Sequence, residues 1–268
     1  MKAFAAHIQF EIRNAVRDRS LLLMNYLFPL VVYLTIGAIM TKLNPTFKQA
    51  LIPSMIMFGI LSSMVLSLPT PLVTARESGI FRSYRINGVP TSNILIVPAL
   101  TSFLHMIVVG LIILFTAGPL FGASTSIHYG WFILAFVLIC FACAGFGILI
   151  GVISKDSKLT ILYSQMIFLP STMIGGIMIP ASMLPGSLNR IAHLLPTSYA
   201  RELFDISLGA PLTPHVVWPI FVLLSSGILC FLMASLLFRW DSQVKYKKKN
   251  PLWGLVVIAP YVAGALML

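Results

Sequence analysis

Acidic residues are scarce in this chain. Seven Asp and Glu stand among 268 residues, and all charged residues together reach only 9%, against about 25% in soluble domains. A chain so poor in charge cannot cover a water-soluble core with polar groups, which excludes a solvated enzyme or binding domain. Cysteine is nearly absent too. Cys140, Cys143 and Cys230 lie in apolar runs and are too few for a disulfide framework. Cys140 and Cys143 form a CxxC, but Ile139, Phe141, Ala142 and Ala144 around them disfavour the thiolate that metal binding or redox exchange requires. Core packing is their expected role. No GxxxxGK[ST], HExxH or GxSxG occurs, so the chain carries no P-loop of its own and none of these hydrolase signatures. Residues 1–20 hold Glu11, Arg13, Arg17, Asp18 and Arg19 where a cleavable signal would have an apolar stretch.

What fills the chain instead is apolar. Hydrophobic residues make up 58% and mean hydropathy is +0.96. Runs at 20–41, 51–75, 94–121, 129–153, 159–180 and 215–238 contain no Asp, Glu, Lys or Arg. Each is long enough to cross ~30 Å of hydrocarbon, which takes about 20 helical residues. A seventh run, 251–268, is marginal in length. The runs lack the period-two alternation of barrel strands, so an all-α integral membrane protein is expected. The 18 Lys and Arg give a net charge of +11, which on so apolar a chain signals orientation, not nucleic acid. With the N-terminus cytoplasmic, 14 of the 18 basic residues fall inside and only Lys42, Lys48, Arg190 and Arg201 outside. This predicts a multi-pass protein of the cell membrane. If 251–268 spans, the chain emerges outside; if it lies flat, six spans leave both ends inside. The run Lys245–Lys249 fits stop-transfer and orientation, with anionic headgroups as a further fit.

Three connecting segments stand out. Residues 3–19 place Phe4, Ile8, Ile12, Ala15 and Val16 on one helix face opposite Glu11, Asn14, Arg17 and Asp18, as an interfacial anchor would. Residues 181–214 are too apolar for a free loop, with Leu188, Ile191, Ala192 and Leu195 at helical spacing; they are expected to pack on the membrane face or dip into it. Residues 76–93 form the long cytoplasmic loop. There Arg76, Glu77, Arg82 and Arg85 supply charge, while Ile80, Phe81, Tyr84 and Ile86 give a short helix an apolar side. Gly79, Gly88 and Pro90 punctuate that helix at about 79–87. It can dock in the groove of a soluble partner or serve as a plain interfacial loop.

No span carries a carboxylate, the usual mark of ion coupling. His105, deep in the third span, is expected to bond a neighbouring helix. Energy for uphill transport would therefore have to come from a partner. In the fifth span Gln165, Ser171, Thr172, Gly175 and Gly176 interrupt Ile, Leu, Phe and Met. Packing through small residues is one reading. An adaptable lining that includes Met166, Met173, Met178 and Met183 is the other. Gly147 and Gly151 form a GxxxG suited to packing.

The stretch ARESGIFRSYRINGVP, with Glu77, Gly79, Arg82, Gly88 and Pro90, resembles the E-x-x-G-T-L-type stretch after the second span of ABC-2-type ABC transporter permeases. Ser78 before Gly79 and Ile80–Phe81 in place of Thr-Leu depart from it. A second stretch, PASMLPGSLNRIAHLLPTSYARELF, is similar to the family's external segment through Pro180, Leu184–Pro185, Leu195–Pro196 and Tyr199. The resemblance covers about residues 3–240. It implies a six-helix transmembrane domain of the type V exporter-like kind, with an elbow helix at 3–19 and external half-helices at about 181–205. It also implies a coupling helix at about 76–90, where Arg76, Glu77, Gly79, Phe81, Arg82, Tyr84, Arg85, Gly88 and Pro90 meet a separate ATPase subunit. Two permease subunits would pair, as a homodimer or heterodimer. ATP and Mg would bind the ATPase partner, and this chain would hold no cofactor, metal or catalytic residue. Gln165, Ser171, Thr172, Met173, Gly175 and Gly176 become candidate pathway residues. The implied function is export of a lipophilic or amphipathic compound. A non-transporting scaffold and an ion-coupled carrier are the competing readings.

Overall fold

A computed structural model describes residues 18–45, 47–123, 126–179, 183–212, 214–240 and 251–267. The expected elbow helix at 3–19 and the basic run at 245–249 lie largely or wholly outside them. The described residues are helical with no strand, as the charge-free runs require. Five helices are long and apolar enough to cross a membrane. These are α1 (Arg19–Leu43), α2 (Phe47–Glu77), α4 (Thr91–Phe121), α5 (Tyr129–Ile153) and the helix Pro214–Leu237, whose α-helical part is α9 (Val217–Leu237). Between them lie α3 (Ile80–Ile86), α6 (Ser157–Ile174), α7 (Gly186–Ala192) and α8 (Pro196–Ser207). A last element, α10, winds as a 3-10 helix over Pro251–Ile258 and as an α-helix over Ala259–Met267.

Small residues set the order of packing. Helix α5 is the centre, buried almost continuously from Leu138 to Val152. A Cβ on Gly147 would collide with the carbonyl of Met64 on α2, and one on Gly145 would sit 2.7 Å from Cys230 on α9. Only glycine allows α5 this close to both neighbours, so the Gly147–Gly151 pair is a packing device. The three cysteines are buried and free, in keeping with core roles.

Helix α1 starts at Asp18, whose carboxylate accepts from the amides of Ser20 and Leu21 at 2.8 and 3.2 Å, a side-chain N-cap. It then buries Asn25, Pro29, Tyr33, Gly37 and Thr41, one residue every four, and leaves Leu27, Val31 and Leu34 exposed. Both α1 and α2 widen into a π-turn, at Leu23–Leu27 and Ser62–Ser67, and these two turns pack together against α4. There Tyr26 Oη lies 2.6 Å from His105 Nδ1, with the rings edge to face. His105 thus bonds a neighbouring helix.

One stretch departs from its expected bounds. The fifth charge-free run extends over 159–180, yet α6 ends at Ile174. The chain leaves the helix at Gly175 and enters the left-handed region at Gly176 (φ 83°), a conformation glycine adopts without steric cost.

Candidate functional site

Basic side chains gather at one end of the bundle, which α3 crosses. Gly79 (φ 78°) and Gly88 (φ 70°) turn the chain on either side of it, so α3 lies between the ends of α2 and α4 as a separate short rod. Its inner side is anchored. The Phe81 ring is buried and meets Phe238, just past α9, at 5.4 Å between centroids. Tyr84 is half-buried beside it at 6.3 Å. Its outer side carries Arg82, Arg85 and Ile86, the last 86% exposed. Glu77 is exposed and accepts a long 3.5 Å hydrogen bond from Ser157 Oγ at the start of α6.

Arg76 behaves differently from its neighbours in sequence. It is only 5% exposed, and its guanidinium donates to the carbonyls of Gly151 at 3.2 Å, Val152 at 2.9 Å and Ser154. These are carbonyls of the last turn of α5 and of the residue that follows it, groups that a helix end leaves without an intrahelical partner. A cation there also opposes the negative end of the helix dipole. Of the nine residues grouped as a docking surface, Arg76 and Phe81 therefore point into this chain. Glu77, Arg82, Arg85, Gly88 and Pro90 are exposed, and Gly79 and Tyr84 are partly so.

The opposite end of the bundle holds the break after α6. Thr197 Oγ1 donates to the carbonyl of Ser171 at 3.4 Å, and Arg201 Nη1 donates to that of Gly176 at 3.4 Å. Both donors come from α8. Arg201 also donates to Ser54 Oγ on α2 at 3.1 Å and pairs with Asp205 at 2.7 Å. One guanidinium thus ties α2, α8 and the stretch that follows α6 together. A Cβ on Gly175 would collide with Thr197 Oγ1. Beside this cluster His193 Nδ1–H donates to Asn189 O at 2.8 Å, and Nε2 faces Glu202 at 3.3 Å. The Glu202 carboxylate raises the His193 pKa above its usual value, chiefly through that hydrogen bond, while burial opposes it.

The candidate pathway residues divide here. Ser171, Thr172, Gly175 and Gly176 are buried within the bundle and Gln165 is partly buried. Met173, with Met166, lies on the exposed face of α6. Arg201, Ser54 and Thr197 were not singled out from sequence; the only local signal was the Arg201–Asp205 spacing of four on one helix face.

A family model described as ABC-2 type transporter matches residues 2–209. The chain belongs to that family. No curated protein and no solved structure matches it. It is a multi-pass membrane permease of the ABC-2 type. In this ABC-2 permease the matched stretch includes α3, the break after α6 and all of α8, while α9 and α10 lie past its end.

Proposed function

We propose that this permease exports a lipophilic or amphipathic compound with energy from ATP hydrolysed on a separate ATPase subunit, which docks on α3. The observation that carries this is the build of α3: its inner side is fastened by Phe81 to the end of α9, while Arg82, Arg85 and Ile86 face away from the bundle. An apolar anchor beside cations on a short rigid helix is the pattern that enters a groove on a soluble partner. The basic end is then cytoplasmic, in line with the distribution of Lys and Arg, and α8 lies on the outer side. ATP and Mg bind the partner, and this chain holds no cofactor. A second permease subunit covers the exposed apolar faces of α1 and α6, and Gln165 and Met173 border the pathway between the two.

The test uses the permease purified with a P-loop ATPase and reconstituted in vesicles. ATP should drive cargo movement, Glu77→Lys should abolish it with the complex still assembled, and a photo-crosslinker at Ile86 should capture the ATPase. Full ATP-driven transport by the permease alone, or flux driven by an ion gradient without ATP, would overturn the reading.

A further inference from the structure

The geometry points to a further membrane crossing, formed by α10, that is clamped along α9 and braces α8 on the far side of the bilayer. Its residues face the protein in one stripe. Gly254 is partly buried, and Val257, Tyr261 and Gly264 are buried. Their spacing of three, four and three suits a segment that passes from 3-10 to α winding. Trp253, Leu255, Val256, Ile258 and Val262 on the remaining surface are exposed, as lipid-facing side chains would be.

The stripe runs from one end of the bundle to the other. A Cβ on Gly254 would rest 3.9 Å from Leu149 and Ile153, the end of α5 that Arg76 caps. Midway, Tyr261 Oη lies 2.7 Å from Ser226 Oγ on α9. The Ser226 hydroxyl donates to Leu223 O at 3.0 Å, so the tyrosine is the donor in that pair. The Tyr261 ring also meets Phe146 at 5.9 Å and Tyr199 at 5.8 Å. At Gly264 a Cβ would be 3.0 Å from Trp218 Nε1 and would collide with Tyr199 Oη. Trp218 begins α9 and Tyr199 belongs to α8, so both mark the opposite end.

Length agrees with this path. Seventeen residues in pure α-helix reach about 25 Å, short of the ~30 Å core. With eight of them in 3-10 winding, at about 2.0 Å per residue, the segment reaches roughly 30 Å. Residues 251–267 thus cross instead of lying flat, and the face of α9 that other chains could use is filled by this chain's own segment.

Which side receives residue 267 rests on the orientation proposed above; the crossing itself does not. The experiment places one epitope after Leu268 and, in a second version, one within 241–250, each in the permease assembled with its partners in cells. An impermeant antibody should label the first epitope in intact cells and the second only after permeabilisation. The reverse pattern would keep the crossing and overturn the orientation; both epitopes on one side would overturn the crossing. The brace is tested in the purified complex with Gly264→Leu, which fills the seat of Tyr199 and Trp218, against Val262→Leu on the lipid face. Gly264→Leu should lower the melting temperature by several degrees and speed proteolysis within α8, with Val262→Leu unchanged. Equal behaviour of the two variants would overturn the brace.

Discussion

Replacement of Arg76 separates a structural cation from a docking one. Its guanidinium holds three carbonyls at the end of α5 in a site 5% exposed. A hydrogen bond to a charged group contributes about 1.5–3 kcal/mol, and a buried acceptor left without a donor costs about 1–3 kcal/mol. The three bonds share one group and do not add, since breaking a buried charged contact costs roughly 3–5 kcal/mol in all. Water at the membrane surface recovers part of this, so Arg76→Ala should destabilise by about 3 kcal/mol. Arg76→Lys keeps the charge but not the fork, reaches fewer carbonyls, and should fall between. Arg85→Ala is the comparison, because Arg85 is exposed on α3 and such surface changes usually stay within about 0.5 kcal/mol. The assay is thermal unfolding of the purified permease in one detergent, with tryptophan fluorescence as the readout. The ordering Ala below Lys below wild type at position 76, with Arg85→Ala near wild type, is the expected result. If Arg76→Ala and Arg85→Ala unfold at the same temperature, the capping argument fails.

Three further outcomes follow from other contacts. Gly175→Ala places a methyl group on Thr197 Oγ1 and should cost about 1–3 kcal/mol by overpacking, read as a lower melting temperature and looser proteolytic protection of α8. The raised pKa of His193 means its link to Glu202 stabilises the fold fully below about pH 6.5 and fades as pH rises through the higher folded value. Because Glu202 is 44% exposed, the effect should stay under about 1 kcal/mol, and Glu202→Gln should remove that pH dependence from melting curves between pH 5 and 9. Tyr26→Phe removes the 2.6 Å bond to His105 and should cost about 0.6 kcal/mol, at most ~1.7, as for other bonds between helices in membranes. Chemical denaturation in micelles measures it.

The fold class was legible because lipid forbids unpaired backbone and charge, so spans appear in the sequence as long charge-free runs. The end of α6 was not. Ile177, Met178 and Ile179 continue the apolar run past Gly175 and Gly176, and the capture of their neighbourhood by Thr197 and Arg201 depends on residues more than twenty positions away. The two π-turns left no readable trace either, since Leu23–Leu27 and Ser62–Ser67 have ordinary span composition. In the loop after the second span, residue types and punctuation located α3. They could not say which side of it faces inward, because seven residues make only two turns and both sides carry apolar groups. Nor could they show that Phe81 leans on Phe238 or that Arg76, at the end of α2, caps α5.

That leaning contact gives α3 a mechanical character. A surface loop would absorb a partner's push by bending. Here Gly79 and Gly88 set α3 off as a separate rod, while Phe81 against Phe238 and Arg76, at the end of α2, on the end of α5 tie the two sides of the Gly79 turn to two different helices. Under the docking proposed above, a displacement applied at Arg82 and Arg85 would reach the bases of α5 and α9 together, as a crank turns two rods on one pin. Because α5 and α9 pack so closely that a Cβ on Gly145 would sit 2.7 Å from Cys230 and one on Gly227 would collide with Phe141, the two helices would then move as a pair.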